Sequence, residues 1–344
     1  MPLFSIHTWP LEKLRNNLSL EGYKSFHASQ IFNWVYKLRQ PHWDQMTNLS
    51  LDLRFYLKEN LLITQLVKKR EVFSEGQETI KFLWQLSDNM LVESVLICSE
   101  NRRTVCVSSQ VGCPARCAFC ASGKEGLKRN LTAAEIFEQV YQIDLWLFER
   151  QEKVSHVVFM GMGEPFENYE AVVETIRLLI DPNRLALSQR RITVSTVGIV
   201  EGINRFSNEG LKINLVLSLH APNQHIRQKI IPYARKYPLE DILAAVGNFA
   251  RITKRDVTYE YTLIRNINDS IEQAKELAAL LKGQQCSVNL IPYNPIERVR
   301  LQRPEKETIE AFREVLLSFN IVTTWRYTKG KDIAAACGQL ALQK

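Results

Sequence analysis

The chain has 344 residues, enough for about two domains or one large domain with an appendage. Hydrophobic residues make up 45% and charged residues 24%, which excludes disordered, collagenous and fibrous chains and leaves ample material for a sizeable core. Lys and Arg number 44 against 37 Asp and Glu, a formal +7 that favours an anionic partner only weakly.

The opening residues MPLFSIHTWPLEKL lack a basic stretch followed by an apolar one, so no secretory signal is expected. The most apolar run, around IDLWLF, falls far short of a membrane span. A cytoplasmic protein without membrane contact is expected. Residues 1 to about 70 read as helices. Pro10 suits a first turn, Ile31, Trp34 and Val35 share helical spacing over 28–38, and Leu53, Phe55, Tyr56 and Leu57 repeat it over 51–61. This small basic unit is either a packing appendage or a nucleic-acid-docking module. Thr79–Trp84 and Leu91–Ile97 flank Ser87-Asp88-Asn89 and predict a hairpin. Arg103–Ser108 reads as a strand. Thr132 with Glu135 is a capping box opening a helix whose stripe is Ile136, Val140, Ile143 and Leu147. Further strands are expected at Val154–Met160, Ile192–Thr196, Ile213–Leu219, Val257–Leu263, Ser287–Ile291 and Ile321–Tyr327, with helices around 169–180, 239–252, 270–282 and 305–318 between most of them. Such a βαβα series requires a parallel sheet, and its length suits a barrel or part-barrel with the active site at the carboxyl ends of the strands.

Seven cysteines (Cys98, Cys106, Cys113, Cys117, Cys120, Cys286 and Cys337) are an odd count in a long chain, which favours metal or redox chemistry over a disulfide scaffold. Cys113, Cys117 and Cys120 follow the first barrel strand with C-x3-C-x2-C spacing. A structural zinc normally takes four ligands, and no second pair completes such a set. Three thiolates suit a [4Fe–4S] cubane whose fourth iron is left open. Gly163 and Glu164 follow the second strand in GMGEP, Ser195 ends the third in VSTVG, Ser218, Leu219 and His220 end the fourth in LSLHAPN, and Asn294 follows the sixth in NLIPYNP. Singly, each such polar residue suits loop capping as well as ligand contact. His220 reads as a structural histidine, and Met160 and Met162 as packing.

The cysteine spacing, with an aromatic before the last cysteine, resembles the radical S-adenosylmethionine (SAM) superfamily. There the open iron chelates the amino and carboxylate groups of SAM, and the reduced cluster cleaves it to a 5′-deoxyadenosyl radical. GMGEP resembles that superfamily's SAM-binding turn. Together with CVSSQVGCPARCAFCASG, VSTVG, LSLHAPN, NLIPYNP, the terminal AACGQL and the helical N-terminal unit, the chain resembles the RlmN/Cfr family of RNA adenine methyltransferases over nearly its whole length. Pro165 is similar to the C2-methylating branch; the C8-methylating branch tends to have alanine there.

The resemblance implies a partial (β/α)6 TIM-type barrel. It divides the chain into a helical RNA-docking domain at 1–75, a β-hairpin adaptor at 76–98, a barrel core with a C-terminal catalytic loop at 99–337 and a tail at 338–344. It implies two SAM molecules per turnover. The first methylates Cys337. The second yields the radical that takes hydrogen from that methyl group, and the methylene radical then adds to C2 of adenine. Cys106 attacks the sulfur of Cys337, releasing product and forming a transient disulfide that an external electron donor reduces. The same resemblance places the acceptor of the C2 proton at Glu93, for which the alternative is a surface glutamate on a hairpin. The cluster ligands are Cys113, Cys117 and Cys120; the SAM contacts are Gly163, Glu164, Ser195, Ser218, Leu219, His220 and Asn294.

The implied targets are adenine in 23S ribosomal RNA and adenine beside the anticodon in transfer RNA, with a monomeric enzyme expected. A base entering a barrel mouth must leave its stack, so a loop or single strand is the expected substrate. Lys124, Lys128 and Arg129; Arg190 and Arg191; Arg235 and Lys236; and Arg298, Arg300 and Arg303 are expected in rim loops that contact phosphate. The competing readings are C8 methylation, a zinc-stabilised RNA-binding protein without catalysis, and an electron-transfer iron–sulfur protein, the last disfavoured by the uncapped iron.

Overall fold

The computed structural model describes residues 3–297, 299–325 and 329–341. Arg298, Tyr327 and the last three residues of the expected tail lie outside the described residues. The N-terminal unit holds helices α1 (Leu11–Leu20), α2 (His27–Phe32) and α3 (Leu51–Asn60). The helix expected over 28–38 passes into a wider π-type turn over Asn33–Lys37, which still buries Ile31 and Val35. Leu53 and Leu57 of α3 are buried, whereas Phe55 points to solvent. The unit is fastened tightly to its neighbour. His7 sits fully buried among Tyr36, Phe137 and Tyr141, and Tyr141 Oη donates to Val35 O at 3.1 Å. The buried Arg184 donates to Trp9 O at 2.7 Å.

Among the described residues, ten strands form one sheet in sequential order: β1 (Val67–Phe73), β2 (Thr79–Gln85), β3 (Leu91–Ser99), β4 (Arg102–Cys106), β5 (His156–Phe159), β6 (Ile192–Thr196), β7 (Asn214–Ser218), β8 (Val257–Leu263), β9 (Cys286–Pro292) and β10 (Val322–Trp325). From β1 to β4 the pairing is antiparallel, and from β4 to β10 it is parallel. The hairpin 79–97 and the seven barrel strands therefore stand where the hydrophobic pattern puts them. The helical reading up to about residue 70 is corrected: helix ends at Asn60, and Val67–Phe73 is an edge strand. Its VKKREVF sequence hides the strand signal, because edge strands carry charge on exposed positions.

The crossovers are α4 (Ala133–Phe148), α5 (Tyr169–Ile180), α6 (Val200–Ser207), α7 (Gln224–Ile230) followed by α8 (Leu239–Thr253), α9 (Ile271–Leu280) and α10 (Lys306–Ser318). Thr132 and Glu135 make the reciprocal capping bonds expected of them, and Ile136, Val140, Ile143 and Leu147 are all fully buried. The short α6 and α7 carried no clear periodic signal. Outward-facing Tyr261 of β8 packs on Phe312 of α10, ring centroids 5.2 Å apart. The inner face carries a polar row in register, Ser218–Glu260–Asn289–Thr324. A part-barrel with a polar interior opens at the carboxyl ends of β4–β10.

One buried carboxylate joins the linker after α3 to the barrel. Glu138 Oε1 accepts from Gln65 N (2.7 Å), Leu66 N (2.8 Å) and Gln142 Nε2 (2.8 Å), while Oε2 is buried without a partner among the described residues. Burial pushes its carboxyl up to about 7. The unfolded chain ionises through its ordinary value while the folded chain holds the proton to about 7. Stability is therefore fully present in acid, falls as pH rises across that window, and is level above it, a loss of about 3 kcal/mol. Glu138→Gln keeps an acceptor and removes the titration. The melting-temperature difference between variant and wild type is expected to grow from pH 5 to 7.5 and then stay flat; a pH-independent difference in thermal melts counts against this.

Candidate active site at the mouth of the part-barrel

The cysteine loop leaves β4 through Val107–Ser109 and is pinched at its base by Gln110–Gly112 pairing antiparallel with Leu127–Asn130. Within it Cys113 N donates to Gly126 O (3.3 Å), Cys120 N to Cys117 O (3.1 Å) and Ala118 N to Ile230 O of α7 (2.8 Å). Desolvation raises all three thiols, Cys113 to about 12. Cys117 is raised further by both of the others, and Cys113 by Cys120. Three thiols raised by burial and by one another, Cys113 buried and Cys117 and Cys120 partly so, do not all ionise without a positive centre among them, so the donor set fits a metal cluster. Among the described residues no three His, Cys, Asp or Glu side chains close on a single metal ion. A cubane binds each thiolate at a separate iron and accepts the wider spacing.

The glycine turn is built against this loop by three buried residues of CVSSQ, Ser108, Ser109 and Gln110. Met162 N donates to Ser108 Oγ (2.9 Å), Ser109 N to Met162 O (2.8 Å) and Glu164 N to Gln110 Oε1 (2.8 Å). Gly163 has φ +115°, and a Cβ there would lie 2.6 Å from Ser109 Oγ and 2.9 Å from Gln110 N. The glycine is thus required by close packing at its own turn. Glu164 is buried; its Oε1 accepts from Phe166 N (3.0 Å) and its Oε2 from Val197 N (2.8 Å), and burial raises its carboxyl to about 7. A carboxylate retains further acceptor capacity beyond these two bonds.

Ser195 and Ser218 meet across β6 and β7, Oγ to Oγ 3.2 Å. Leu219 is core, with its N–H on Glu260 O (3.1 Å) and its carbonyl accepting from Arg227 Nε (3.1 Å). His220 takes a left-handed φ of +56°, and its Nδ1 accepts from Thr262 N (2.9 Å), which leaves the proton on Nε2. Burial, with Arg227 nearby, holds its pKa down to about 3, so the ring is neutral. Its edge meets Phe119 of the cysteine loop, centroids 4.8 Å apart. Met162 packs with Val95, Ala335 and Leu340, as expected of a packing methionine.

The C-terminal loop closes the mouth. Gly330 and Gly338 both have positive φ, +70° and +82°. Asn294 Nδ2 donates to Cys337 O (3.1 Å) and Gln339 Nε2 to Pro295 O (3.0 Å). Ala121 N donates to Gly338 O (2.7 Å) and Ser122 Oγ to Leu340 O (2.7 Å), so the loop rests directly on the cysteine loop. Asn294 Oδ1 is buried with no partner among the described residues, an acceptor left for a ligand. Cys337 is exposed, and its proximity, after desolvation, raises the thiol of Cys106 well above its usual range. Glu93 is not a surface residue: it is 2% exposed, its Oε1 lies 3.2 Å from Lys81 Nζ, and its Oε2 accepts from Ala341 N (2.9 Å).

Two family models match the chain: the radical SAM superfamily over residues 107–278, and the ribosomal RNA large subunit methyltransferase N-terminal domain over residues 7–63. A Protochlamydia amoebophila protein named "Probable dual-specificity RNA methyltransferase RlmN 2" is 62% identical over 97% of this chain and 93% of its own length. A Staphylococcus aureus protein, "Probable dual-specificity RNA methyltransferase RlmN", is 43% identical over 98% of this chain and 92% of its own. The chain belongs to the RlmN family of radical SAM methyltransferases. The crystal structure of a radical SAM methyltransferase from Sphaerobacter thermophilus shares its fold with a TM-score of 0.96, at 42% identity, covering 99% of this chain and 100% of that one. Membership carries a [4Fe–4S] cluster and SAM as the family's cofactors. No described helix is long and apolar enough to cross a membrane.

Sequence reasoning missed Lys81, Arg227 and the bracing by Ser108, Ser109 and Gln110. The last stood in plain view as letters of CVSSQ; polar residues in an otherwise apolar strand-to-loop junction were the available signal. Arg227 is fully buried, donates to Val197 O, Ser218 O and Leu219 O, and has no pattern that singles it out. The basic clusters are only partly at the rim. Arg190 and Arg191 precede β6 and so lie at the end of the sheet opposite the mouth. Arg129 is engaged by Asp88 and Glu135.

Proposed function

We propose that this RlmN-family enzyme methylates C2 of adenine in 23S ribosomal RNA and in transfer RNA, through a methyl group carried on Cys337. The observation that carries this reading is that the loop bearing Cys337 is seated on Glu93 through Ala341 and on Ala121 and Ser122 of the cysteine loop, with Cys106 near Cys337. A cluster held by Cys113, Cys117 and Cys120, with SAM, supplies when bound an electron and a radical able to remove hydrogen from a methyl group. Gly163, Glu164, Ser195, Ser218, His220 and Asn294 line the place for SAM. Leu219, packed beneath them, shapes their turn.

The chain's own residues do the rest. Cys337 Sγ, exposed at the mouth, accepts the methyl group and later holds its carbon against the adenine ring. Glu93 takes the C2 proton. Once the adduct has lost its unpaired electron, which the oxidised cluster would accept, the Cys106 thiolate forms a bond to Cys337 Sγ while the bond from that sulfur to the carbon breaks, the electron pair passing to the carbon and ring, and the CH2 unit takes up a proton to become the methyl group on adenine. The resulting disulfide requires two electrons from an external donor, and each turnover uses two SAM molecules. C2 lies between two ring nitrogens and is not nucleophilic, which is why simple displacement at a sulfonium does not serve. We assign residues 1–75 to RNA docking with the edge strand included, 76–98 to the hairpin that carries Glu93, 99–337 to the core with its catalytic loop, and 338–344 to the tail. A monomer in the cytoplasm, where both RNAs are met, fits this role.

The test is anaerobic iron reconstitution, then incubation with methyl-labelled SAM, reductant and unmodified ribosomal or transfer RNA. Mass spectrometry of digested RNA is expected to give 2-methyladenosine. 8-Methyladenosine overturns the C2 assignment, and a colourless protein with one tetrahedral metal ion and unchanged RNA overturns the enzyme mechanism.

A further inference from the structure

We infer that Lys81 is a positioning residue that joins the Glu93 carboxylate to the loop carrying Cys337, so that the base is set when that loop is seated. The inference rests on the roles of Glu93 and Cys337 proposed above. Lys81 lies opposite Val95 in the β2–β3 ladder, and Glu93 is two residues along from Val95. The two are therefore diagonal neighbours on one face, within reach of a long side chain. The same face meets the C-terminal loop, because Val95 packs against Ala335 and Leu340.

Lys81 is 8% exposed, an uncommon place for an ammonium group. Its Nζ lies 3.2 Å from Glu93 Oε1 and donates to Ala334 O at 3.3 Å. The other carboxylate oxygen, Oε2, accepts from Ala341 N at 2.9 Å. One buried ion pair thus grips the loop at two points, Ala334 before Cys337 and Ala341 after it. The orientation of the carboxylate and the seating of the thiol are set by the same contacts. Unseating the loop takes a donor from Glu93 and an acceptor from Lys81 together. A lysine serving only to balance charge in the hairpin has no need of the Ala334 carbonyl.

The experiment compares Lys81→Met, Lys81→Arg and Glu93→Gln, each in the Cys106→Ala background where the RNA adduct accumulates. Single-turnover rates are normalised to the fraction of Cys337 found methylated by mass spectrometry. On RNA deuterated at C2 of adenine, Lys81→Met is expected to slow loss of the C2 deuteron from the adduct about a hundredfold at saturating RNA with the half-saturating RNA concentration unchanged, as a small misplacement of a catalytic group does. Amide hydrogen exchange of residues 334–341 is expected to quicken about tenfold. Lys81→Arg, which retains a cation and donors, is expected to restore most of both. Normal rate and normal exchange in Lys81→Met overturn the inference, as does a slow rate with unchanged exchange, or an arginine variant that folds with the same melting temperature and restores nothing. If Glu93→Gln loses the C2 deuteron at the parent rate, the role of Glu93 itself fails; if Glu93→Gln is slow and Lys81→Met is not, only the Lys81 inference fails.

Discussion

Replacing Cys106 with alanine is expected to leave the enzyme covalently trapped on its RNA. Cys106 ends β4 on the inner wall, in register with Val158 of β5, and the Cys337 thiol is its neighbour across the mouth. Nothing else among the seven cysteines is placed to attack Cys337: Cys98 lies back along β3, Cys286 begins β9 at the far end of the sheet, and the remaining three belong to the cluster loop. On the proposed roles, without Cys106 the bond between Cys337 sulfur and the transferred carbon has no nucleophile to break it. Methylated product is expected to fall at least about a hundredfold, with a near-stoichiometric protein–RNA band on denaturing gels. Free turnover without an adduct rejects the role of Cys106. In the wild type, burial holds the Cys106 thiol protonated at neutral pH, and does so also in the adduct, where Cys337 sulfur is bonded to carbon and carries no charge. The reactive thiolate is then a small fraction that grows about tenfold per pH unit, so resolution of the adduct is expected to quicken as pH rises from 7 to 8.5. A resolution rate independent of pH over that interval means a different step limits release.

Legibility in the sequence followed the range of the interactions involved. The capping box at Thr132, the stripe Ile136–Val140–Ile143–Leu147 and the hairpin about Asp88 are local patterns, and all stand as expected. Elements whose signal is short or masked did not: α7 has seven residues, and β1 presents Lys68, Lys69 and Arg70 to solvent on an edge. The site was legible as a set of motifs but not as an assembly. Glu93 reads equally as a surface hairpin residue because its burial depends on Lys81, on the neighbouring strand, and on Ala341, near the other end of the chain. CVSSQ and GMGEP occur together for a reason visible only in three dimensions, since Ser108, Ser109 and Gln110 brace the turn containing Gly163. The direction of each βα connection also mattered for the basic residues. Arg190 and Arg191 looked like rim residues, yet a segment entering a parallel strand lies at the opposite end from the mouth.

Cys113→Ala is expected to remove the cluster while leaving the fold. The loop is closed at its base by backbone pairing between Gln110–Gly112 and Leu127–Asn130, and Gly112 and Gly126 make the close approach that a side chain would block. None of that requires the Cys113 thiol, so circular dichroism and the melting temperature of the metal-free protein are expected to stay near those of the parent. The chemistry does require it. Only Cys117 and Cys120 then remain in the loop, two thiolates where the proposed ligand set has three. Anaerobic reconstitution is expected to give about four irons per chain in the parent and less than about a tenth of that in the variant, with loss of the brown absorbance. Cleavage of SAM and methylation of RNA are expected to fall together, below detection. Cys337→Ala separates the two halves of the scheme, since it leaves the three cluster thiols in place: iron and SAM cleavage are expected to persist while methylation stops. A Cys113→Ala protein that keeps its colour and full iron removes Cys113 from the ligand set. Methylation surviving in Cys337→Ala would mean that the carbon reaches adenine without resting on that sulfur.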